Sequence, residues 1–394
     1  MTRTRVLVAG AGIGGLTAAL SLHHHGIDAL VIDTAAELRP LGVGINLLPS
    51  AVGELDRLGL VTRLAEHAAA PRAIEFFDDH GGLLFREPRG TEGGYRWPQY
   101  SVHRGRLQAL LLSAVRDRLG SGAVRTGSGL AGFTQTADGV VAHTASGDMT
   151  ADVLVGADGI HSAVRKQLHP DDDPLVWSGV RMWRGAAAMP PFLDGRTMAI
   201  VKGATGIDLV AYPIGGGLVN WVVQVKESSS GPLVGHAGWN APGDPDTVLS
   251  HLAGWHLEWL DVEHMVRNTA AVLEYPMVDR DPLPWWGRDG VTLLGDAAHP
   301  MYPVGANGGS QAIVDAGVLA SELARDFTGG LRAYERARQP ATADIVAANR
   351  DMLATGSTRR PDELANVADK YRHDTNADSG NFPGRSAPAL RGTR

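Results

Sequence analysis

The stretch "RVLVAGAGIGGLTAALSLHHHGIDALVID", residues 5–33, determines the fold class. Its apolar residues and glycines predict a strand over 5–9, a glycine turn, a helix over 14–25 and a second strand over 29–33. A strand–helix–strand unit of this kind implies a parallel sheet with helices on its faces. We therefore predict an α/β fold.

The turn at residues 10–15, called here the first turn, has a dinucleotide-binding pattern. Gly10, Gly12 and Gly15 have the Gly-x-Gly-x-x-Gly spacing that permits a sharp turn and a close approach of backbone to pyrophosphate. The helix that follows offers free N–H groups and the positive end of its dipole to phosphate. Asp33 ends the second strand, where its carboxylate can bind ribose hydroxyls. The pattern predicts dinucleotide binding, leaves NAD and FAD open, and has a purely structural turn as its alternative.

A second glycine turn lies almost three hundred residues later, in "VTLLGDAAHPMYPVGANGGSQAIVDA", residues 291–316. This stretch predicts a strand, a turn with a single Asp296, and glycines that begin another helix. A phosphate-binding loop has no need of that aspartate, so the function of the segment is not evident from local pattern alone. We call residues 295–308 the second turn. Between the two turns, residues 173–285 contain alternating apolar segments typical of an antiparallel sheet.

Composition excludes several classes of function. A net charge of −7 and a pI near 6.1 argue against a nucleic-acid partner. The absence of cysteine excludes disulfides, thiolate catalysis and Cys-ligated metals, and makes a cytoplasmic protein the default. The uncharged run Val6–Leu22 imitates a signal peptide or a short membrane span, but it carries four glycines and no cleavage site, so we predict neither. His23–His25 occupy consecutive helix positions that point in different directions, so we predict no metal site.

Four segments in order carry a family resemblance: the first turn, "SVHRGRLQALL" (101–111), "LVGADGIHSAVR" (154–165) and the start of the second turn. Together they resemble the signature set of class A flavoprotein monooxygenases, the para-hydroxybenzoate hydroxylase-like family, over roughly residues 4–350. The segments "RMWRG", "GVGINLLP" and "YRWPQYSVHRG" resemble the phenazine-carboxylate monooxygenase branch.

The resemblance implies a Rossmann-like FAD-binding domain with a GR2-type parallel sheet, an inserted antiparallel β-sheet substrate domain and C-terminal helices. The implied domains are a first FAD-binding part over 1–172, a substrate-binding sheet over 173–285, a second FAD-binding part over 286–350, and a C-terminal helix with a flexible tail over 351–394. The tail prediction rests on the polar, Gly- and Pro-rich composition of residues 378–394.

The resemblance also implies which residues bind FAD. It assigns contacts with the nucleotide half to Gly10, Gly12, Ile13, Gly14, Gly15, Asp33, Thr34, Arg104, Gln108, Leu130, Asp158 and Gly159. It assigns contacts with the flavin half to Gly44, Ile45, Gly295, Asp296, Pro303, Gly305, Ala306, Asn307 and Gly308. Asp296 would bind a ribityl hydroxyl, and Gly44 would leave room for the flavin ring to move. The helix after the second turn would direct its positive end at flavin N1 and the C2 carbonyl, where charge accumulates on reduction.

Arg165 and His299 each lie close to one of these motifs, and each could have a structural role instead of a role in the site. Arg165 follows Asp158 and Gly159, and the alternative for it is a surface arginine that pairs locally. His299 is expected to pack or to form hydrogen bonds rather than to act as a catalyst.

The implied reaction is an aromatic hydroxylation in which NADH or NADPH reduces FAD, O2 adds at C4a, and the hydroperoxide attacks an electron-rich carbon of a small, polycyclic or heterocyclic aromatic of natural-product type. The flavin carries this chemistry, so no catalytic residue is assigned. Arg184, Tyr212 and Pro303 are the candidates for substrate binding, and Arg184 and Tyr212 could equally be structural. Baeyer–Villiger or epoxidising chemistry, and an FAD-dependent dehydrogenase that does not activate oxygen, remain as alternatives. The chain is expected to be a monomer or a homodimer.

Overall fold

The computed structural model describes residues 4–40, 42–171, 174–203, 206–233, 241–356 and 358–375. The flexible tail predicted for residues 378–394 lies outside these ranges. The described strands are β1 Thr4–Ala9, β2 Ala29–Ile32, β3 Gly44–Leu47, β4 Ala73–Asp78, β5 Leu83–Pro88, β6 Tyr100–His103, β7 Val124–Arg125, β8 Leu130–Thr136, β9 Gly139–Thr144, β10 Gly147–Gly156, β11 Val176–Ala188, β12 Thr197–Lys202, β13 Ile207–Pro213, β14 Leu218–Lys226, β15 Gly231–Pro232, β16 Ala241–Pro242, β17 Leu273–Asp279 and β18 Val291–Leu293.

The described α-helices are α1 Ile13–His24, α2 Pro49–Arg57, α3 Val61–Ala65, α4 Arg104–Leu119, α5 Ala163–Leu168, α6 Pro245–His251, α7 Val262–Arg267, α8 Asn307–Arg325, α9 Gly330–Thr355 and α10 Pro361–Thr375. None of the helices in these ranges is long and apolar enough to span a membrane. The mixed arrangement of strands and helices confirms the predicted α/β class.

The first sheet has a parallel centre in the order β7-β2-β1-β10-β18. Its strands are short apolar runs because helices cover both faces, and Val6, Val8 and Val155 are fully buried. Strand β10 is long enough to serve two purposes: residues 151–156 pair in parallel with β1, whereas residues 147–151 pair with the antiparallel hairpin β8–β9.

Helices α1 and α8 begin at the same edge of this sheet. Each follows one of the parallel strands that flank β10, namely β1 and β18. They pack closely because Gly14 has no side chain: a Cβ there would lie 2.7 Å from Leu294 Cδ2 and 3.3 Å from Ala312 Cβ. The N-termini of two helices that are remote in sequence therefore meet at the carboxyl edge of the strands, which is where open α/β sheets bind ligands.

The second sheet has nine strands, in the order β16-β17-β11-β14-β13-β12-β4-β5 with β15 beside β11. All of its pairs are antiparallel except β12 with β4. Strands β4 and β5 lie outside the segment 173–285 from which the sequence predicted this sheet, so the sheet also takes chain from residues 73–88. The domain boundaries themselves stay a prediction.

The two faces of the second sheet bury different side chains. One face carries Trp183 and Trp221 into a core shared with α6 and α7. On the opposite face, Tyr275 packs with Tyr302 and Val304 from the second turn. We call this opposite face the roof, because it covers the carboxyl edge of the first sheet.

Candidate active site

The three glycines of the first turn meet different surroundings. A Cβ at Gly10, whose φ is +107°, would collide with the carbonyl oxygen of Ala157, and one at Gly15 would collide with the carbonyl oxygen of Gly10. A Cβ at Gly12 would meet nothing within 4 Å. Helix α1 begins after Gly12 without a side-chain cap. The first turn is therefore packed tightly against the protein at Gly10 and Gly15 and is open to a ligand at Gly12, as a phosphate-binding turn requires.

Asp33 and Gln108 both hold the backbone of the first turn. Asp33 accepts hydrogen bonds from the N–H of Ala11 at 2.7 Å and of Ala35 at 2.8 Å. Gln108 donates to the carbonyl oxygen of Ala11 at 2.8 Å. Each carboxylate oxygen of Asp33 has a further lone pair for a ligand hydroxyl. The structure thus brings together residues that the sequence assigned to the nucleotide half.

Thr34 and Leu130 lie at the outer end of the same site. A Cβ on Gly129, the residue before Leu130, would lie 2.5 Å from Thr34 Oγ1. Leu130 is half-buried and begins β8. Because the N–H of Ser128 also donates to the carbonyl oxygen of Asp33, the start of β8 lies beside residues 33 and 34.

In the motif Asp158-Gly159, the aspartate has a structural role and the glycine is open to a ligand. Asp158 accepts hydrogen bonds from Ser162 Oγ at 2.5 Å and from the N–H of Ala163 at 2.8 Å, so its carboxylate organises the start of α5. Burial raises the pKa of this carboxyl group, against the effect of these hydrogen bonds. Gly159 has a φ of +78°, and a Cβ there would meet nothing within 4 Å. The glycine backbone, rather than the aspartate side chain, is open to a ligand.

Arg165 is a buried link to the second turn. Its side chain is 3% exposed, and Nη1 donates to the carbonyl oxygens of Ala297 at 3.1 Å and Ala298 at 2.8 Å. The alternative of a surface arginine is therefore wrong. Arg165 fixes the position of the Gly295-Asp296 segment relative to α5.

Asp296 lies at the floor of a groove between the two turns. Its side chain is exposed, yet the protein around it raises the pKa of the carboxyl group by desolvation, while His299 and Arg104 act in the opposite direction. An exposed carboxylate with dense surroundings is what the floor of a deep groove produces. Gly308 borders the same space: a Cβ there would lie 3.9 Å from Asp296 Oδ1 and near no other residue.

The loop before α8 has an unusual backbone. Gly305 and Ala306 are consecutive left-handed residues, with φ values of +68° and +64°. Helix α8 then begins at Asn307 without a side-chain cap. The Asn307 side chain is buried and donates to Tyr371, so the backbone of this loop faces the groove. Pro303 is exposed on the same loop.

Gly44 and Ile45 connect the groove to the roof. The N–H of Gly44 donates to Asn220 Oδ1 at 2.6 Å, and a Cβ on Gly44 would lie 2.6 Å from Asn220 Cβ. Asn220 therefore occupies the space that a side chain at position 44 would take, and the expectation that this glycine leaves room for the flavin ring stays a prediction. Ile45 packs on the start of α8, with its Cδ1 2.5 Å from the position of a Cβ on Gly309.

A buried charge cluster supports the second turn. Asp315 on α8 is 0% exposed; it accepts from the N–H of Gly295 at 3.1 Å and Arg338 Nε at 2.8 Å, and its Oδ2 lies 2.6 Å from His299 Nε2. Burial alone would raise the pKa of Asp315, but His299 and Arg338 hold it below its ordinary value. His299 thus forms a buried hydrogen bond, as expected. Asp315 and Arg338 were missed, although an aspartate within the apolar stripe of α8 was a visible signal.

The roof carries the half-buried cation of Arg184. The guanidinium carbon of Arg184 lies 3.9 Å from the ring centroid of Tyr275, and its Nε is buried with no hydrogen-bond partner among the described residues. Burial and the charge of Arg104 lower the pKa of Arg184. Tyr212 lies beside Asn220, and burial raises the pKa of its phenol, which therefore stays protonated. Arg184 and Tyr212 are thus brought to one face, while Pro303 stays on the facing loop.

This arrangement suits an extended ligand with a diphosphate at its centre. Two uncapped helix N-termini meet at one edge, and the open glycines at 12, 159 and 308 leave backbone accessible along the groove. Asp33 and Asp296 place hydroxyl-binding carboxylates at the two ends. Within the described ranges, no three His, Asp or Glu residues are grouped closely enough to hold a metal ion. The residues present fit a dinucleotide such as FAD.

Comparison with known proteins identifies the family. Residues 3–176 and 279–349 match the family model described as FAD binding domain. The chain belongs to the FAD-binding family of class A flavoprotein monooxygenases. It is 46% identical to the phenazine 1,6-dicarboxylic acid hydroxylase PhzS of Lysobacter antibioticus, over 94% of this chain and 97% of that protein. It is 34% identical to 3-hydroxybenzoate 6-hydroxylase 1 of Aquipseudomonas alcaligenes, over 88% and 87% of the two chains.

Solved structures share the fold. Klebsiella pneumoniae HpxO, solved with FAD and uric acid, superposes with a TM-score of 0.77 at 24% identity, over 95% of this chain and 94% of that one. The family match and the relatives above 30% identity show that this FAD monooxygenase is an oxidoreductase that hydroxylates an aromatic substrate, with FAD as cofactor and NAD(P)H as co-substrate. The family and the branch read from the sequence are confirmed.

Proposed function

We propose that this FAD monooxygenase hydroxylates a polycyclic aromatic carboxylic acid of the phenazine class, with O2 as the oxidant. The observation that carries the proposal is the half-buried cation of Arg184 in the roof, whose Nε is buried with no hydrogen-bond partner among the described residues. The similarity to a phenazine 1,6-dicarboxylic acid hydroxylase supports the same substrate class.

The side chains of the roof suit the binding of a planar aromatic carboxylic acid. Val222 lies opposite Arg184 across the β11–β14 pair, and Val210 lies opposite Val222 across the β14–β13 pair, so the three residues share one face. The two valines are half-buried, which leaves apolar surface beside the cation. An aromatic ring would cover the valines, and a carboxylate on that ring would supply a partner for Arg184.

The groove residues would hold the cofactor in one orientation. The first turn would bind the diphosphate, Asp33 the adenosine ribose, and Asp296 a hydroxyl of the ribityl chain. The N-terminus of α8 would then face the pyrimidine edge of the ring. Bound FAD, reduced by NAD(P)H, supplies the oxygen activation.

The chain's own groups would orient the acid and exclude water. Tyr212 stays protonated, so it would donate a hydrogen bond to a substrate oxygen rather than act as a base. The valines of the roof would keep water from the reacting carbon. A cytoplasmic location and a monomer or homodimer stay predictions from the sequence, and the net charge of −7 supports the absence of a nucleic-acid partner.

The test is turnover on a matched set of ligands. Purified holoenzyme is supplied with NAD(P)H and phenazine-1,6-dicarboxylic acid, its uncharged diamide, or unsubstituted phenazine, and products are analysed after reaction under ¹⁸O2. We expect one labelled hydroxyl on the ring of the dicarboxylic acid. NAD(P)H oxidation without labelled product would favour the dehydrogenase alternative, and a labelled ester or epoxide would favour the other oxygenase chemistries.

Arg184→Met tests the carboxylate contact. Loss of one hydrogen bond to a charged group is worth about 1.5–3 kcal/mol, so the KM for the dicarboxylic acid should rise about ten- to hundredfold. Arg181→Met is the matched control, because Arg181 lies on the same strand but pairs with Glu227 and Glu274 on the other face. An unchanged KM in Arg184→Met would refute the assignment of the carboxylate to this residue.

A further inference from the structure

Tyr371 on helix α10 contacts the second turn with its phenol ring and hydroxyl. The hydroxyl of Tyr371 accepts a hydrogen bond from Asn307 Nδ2 and donates to Asn349 Oδ1 at 2.6 Å. Its ring packs directly on Gly305, where any Cβ would collide with it. Tyr371 is 9% exposed, and Asn307 and Asn349 are more deeply buried. The hydroxyl thus joins the first residue of α8 to α9.

The backbone at this point needs support. Gly305 and Ala306 are both left-handed, and this conformation is disfavoured for a residue with a Cβ, as at position 306. The Asn307 side chain leads on to Gln311 at 3.2 Å, and Gln311 accepts from Arg338 of the buried charge cluster. Tyr371 therefore belongs to a continuous chain of buried hydrogen bonds that runs from Asn349 to Arg338 beneath the second turn.

The same helix is anchored to the second sheet. Arg372 Nη1 lies 2.8 Å from Glu87 Oε1 on β5, and Leu364 packs in a cluster with Tyr212 of the roof. Helix α10 consequently contacts both surfaces between which the flavin ring and the aromatic substrate would lie.

We infer that Tyr371 is a positioning residue for the flavin: its hydroxyl fixes Asn307, and thereby sets the direction in which the N-terminus of α8 faces the pyrimidine edge of the ring. The inference rests on the proposed location of the ring beside residues 305–308. A helix N-terminus held in a fixed direction stabilises negative charge on the reduced flavin, because its N–H groups and dipole do not need to reorient.

The test compares Tyr371→Phe with wild type in the FAD-loaded enzyme. The ring that packs on Gly305 remains in this variant, and only the hydroxyl is removed. We expect the preference for reduced over oxidised FAD to fall about three- to tenfold, which lowers the midpoint potential of the bound flavin by about 15 to 30 mV. The dissociation constant of oxidised FAD, measured by titration of the apoprotein, should change less than this ratio.

Arg372→Gln is the matched control. It breaks the link between α10 and Glu87 but leaves the phenol in place, and Glu87 keeps Arg89 as a partner at 2.9 Å. We expect the wild-type potential in this variant. A wild-type potential in Tyr371→Phe, or an equal shift in both variants, would overturn the inference, since the second result would indicate general loosening of α10.

The outcome is separable from the proposed function. If wild type hydroxylates the phenazine acid but the potential of Tyr371→Phe is unchanged, only the positioning role fails. If the potential shifts as expected but no aromatic acid is hydroxylated, only the proposed substrate fails.

Discussion

The substitution Gly12→Ala tests the diphosphate site, because the space next to Gly12 is open and the added methyl group would enter it. Gly12 has an extended backbone, with φ −74° and ψ −175°, which alanine also adopts, and a Cβ there meets no atom within 4 Å. Gly12→Ala should therefore leave the apoprotein folded. Alanine is a poorer N-cap than glycine, but it also lowers the entropy of the unfolded chain, and the two effects offset each other to within about 0.5 kcal/mol.

The same methyl would occupy the space through which a diphosphate approaches the backbone. Loss of one hydrogen bond to a charged phosphate is worth about 1.5–3 kcal/mol. We therefore expect the dissociation constant of FAD to rise about ten- to hundredfold in Gly12→Ala, while the free energy of unfolding of the apoprotein stays the same. Fluorescence titration of apoprotein with FAD measures the first quantity, and urea unfolding measures the second.

Gly122→Ala is the matched control, because Gly122 is also exposed with nothing within 4 Å of an added Cβ but lies after α4, in a short 3₁₀ turn between Ser121 and Ala123. It should bind FAD as wild type does. An unchanged affinity in Gly12→Ala would show that the diphosphate lies elsewhere. A loss of affinity matched by an equal loss of apoprotein stability would show that the methyl disturbs the fold instead.

Three further substitutions test the supports of the site. Asp315→Asn removes the buried carboxylate that pairs with Arg338 and His299 and should destabilise the protein by about 3–5 kcal/mol in urea unfolding. Because the pKa of Asp315 is lowered on folding, its contribution is present above the ordinary aspartate value of about 3.9 and is lost as the pH falls through the lower folded value; acid unfolding of wild type below that pH should therefore be steeper than that of the variant. Gly44→Ala places a Cβ 2.6 Å from Asn220 Cβ, and such overpacking should cost about 1–3 kcal/mol; unchanged stability would mean that the roof shifts freely. Arg165→Met removes two hydrogen bonds to the second turn, so the affinity for FAD should fall. Because Arg165 acts by holding the turn in place and not through its charge, the affinity of wild type relative to the variant should be the same at low and high salt; a difference that disappears at high salt would contradict this role.

The elements that local pattern determines were predictable from the sequence. The first strand was expected over residues 5–9 and is found at Thr4–Ala9, and the helix expected over 14–25 is found at Ile13–His24. Glycines mark both boundaries of this helix: Gly10 before it and Gly26 after it have positive φ values, which glycine adopts more readily than other residues. The second turn was located for the same reason.

Contacts between remote segments were not predictable. Strand β4 joins the second sheet by pairing in parallel with β12, more than one hundred residues away, and no local pattern specifies such a partner. Asp315 and Arg338 meet because α8 and α9 pack together, and Tyr371 reaches Asn307 because α10 folds back over α9. A single sequence shows these residues only as polar positions on amphipathic helices.

The cost of the buried charges indicates their purpose. A buried ion pair is often no more stabilising than apolar side chains of the same size, so stability alone does not explain Asp315 and Arg338 in the middle of a helical core. The pair holds the second turn in place, because Asp315 accepts a hydrogen bond from the N–H of Gly295 and thereby fixes the turn that carries Asp296. Replacing Asp315 and Arg338 together with apolar residues should therefore restore much of the stability lost in Asp315→Asn, yet leave FAD affinity reduced. Recovery of both properties in the double variant would show that the charges serve only the core.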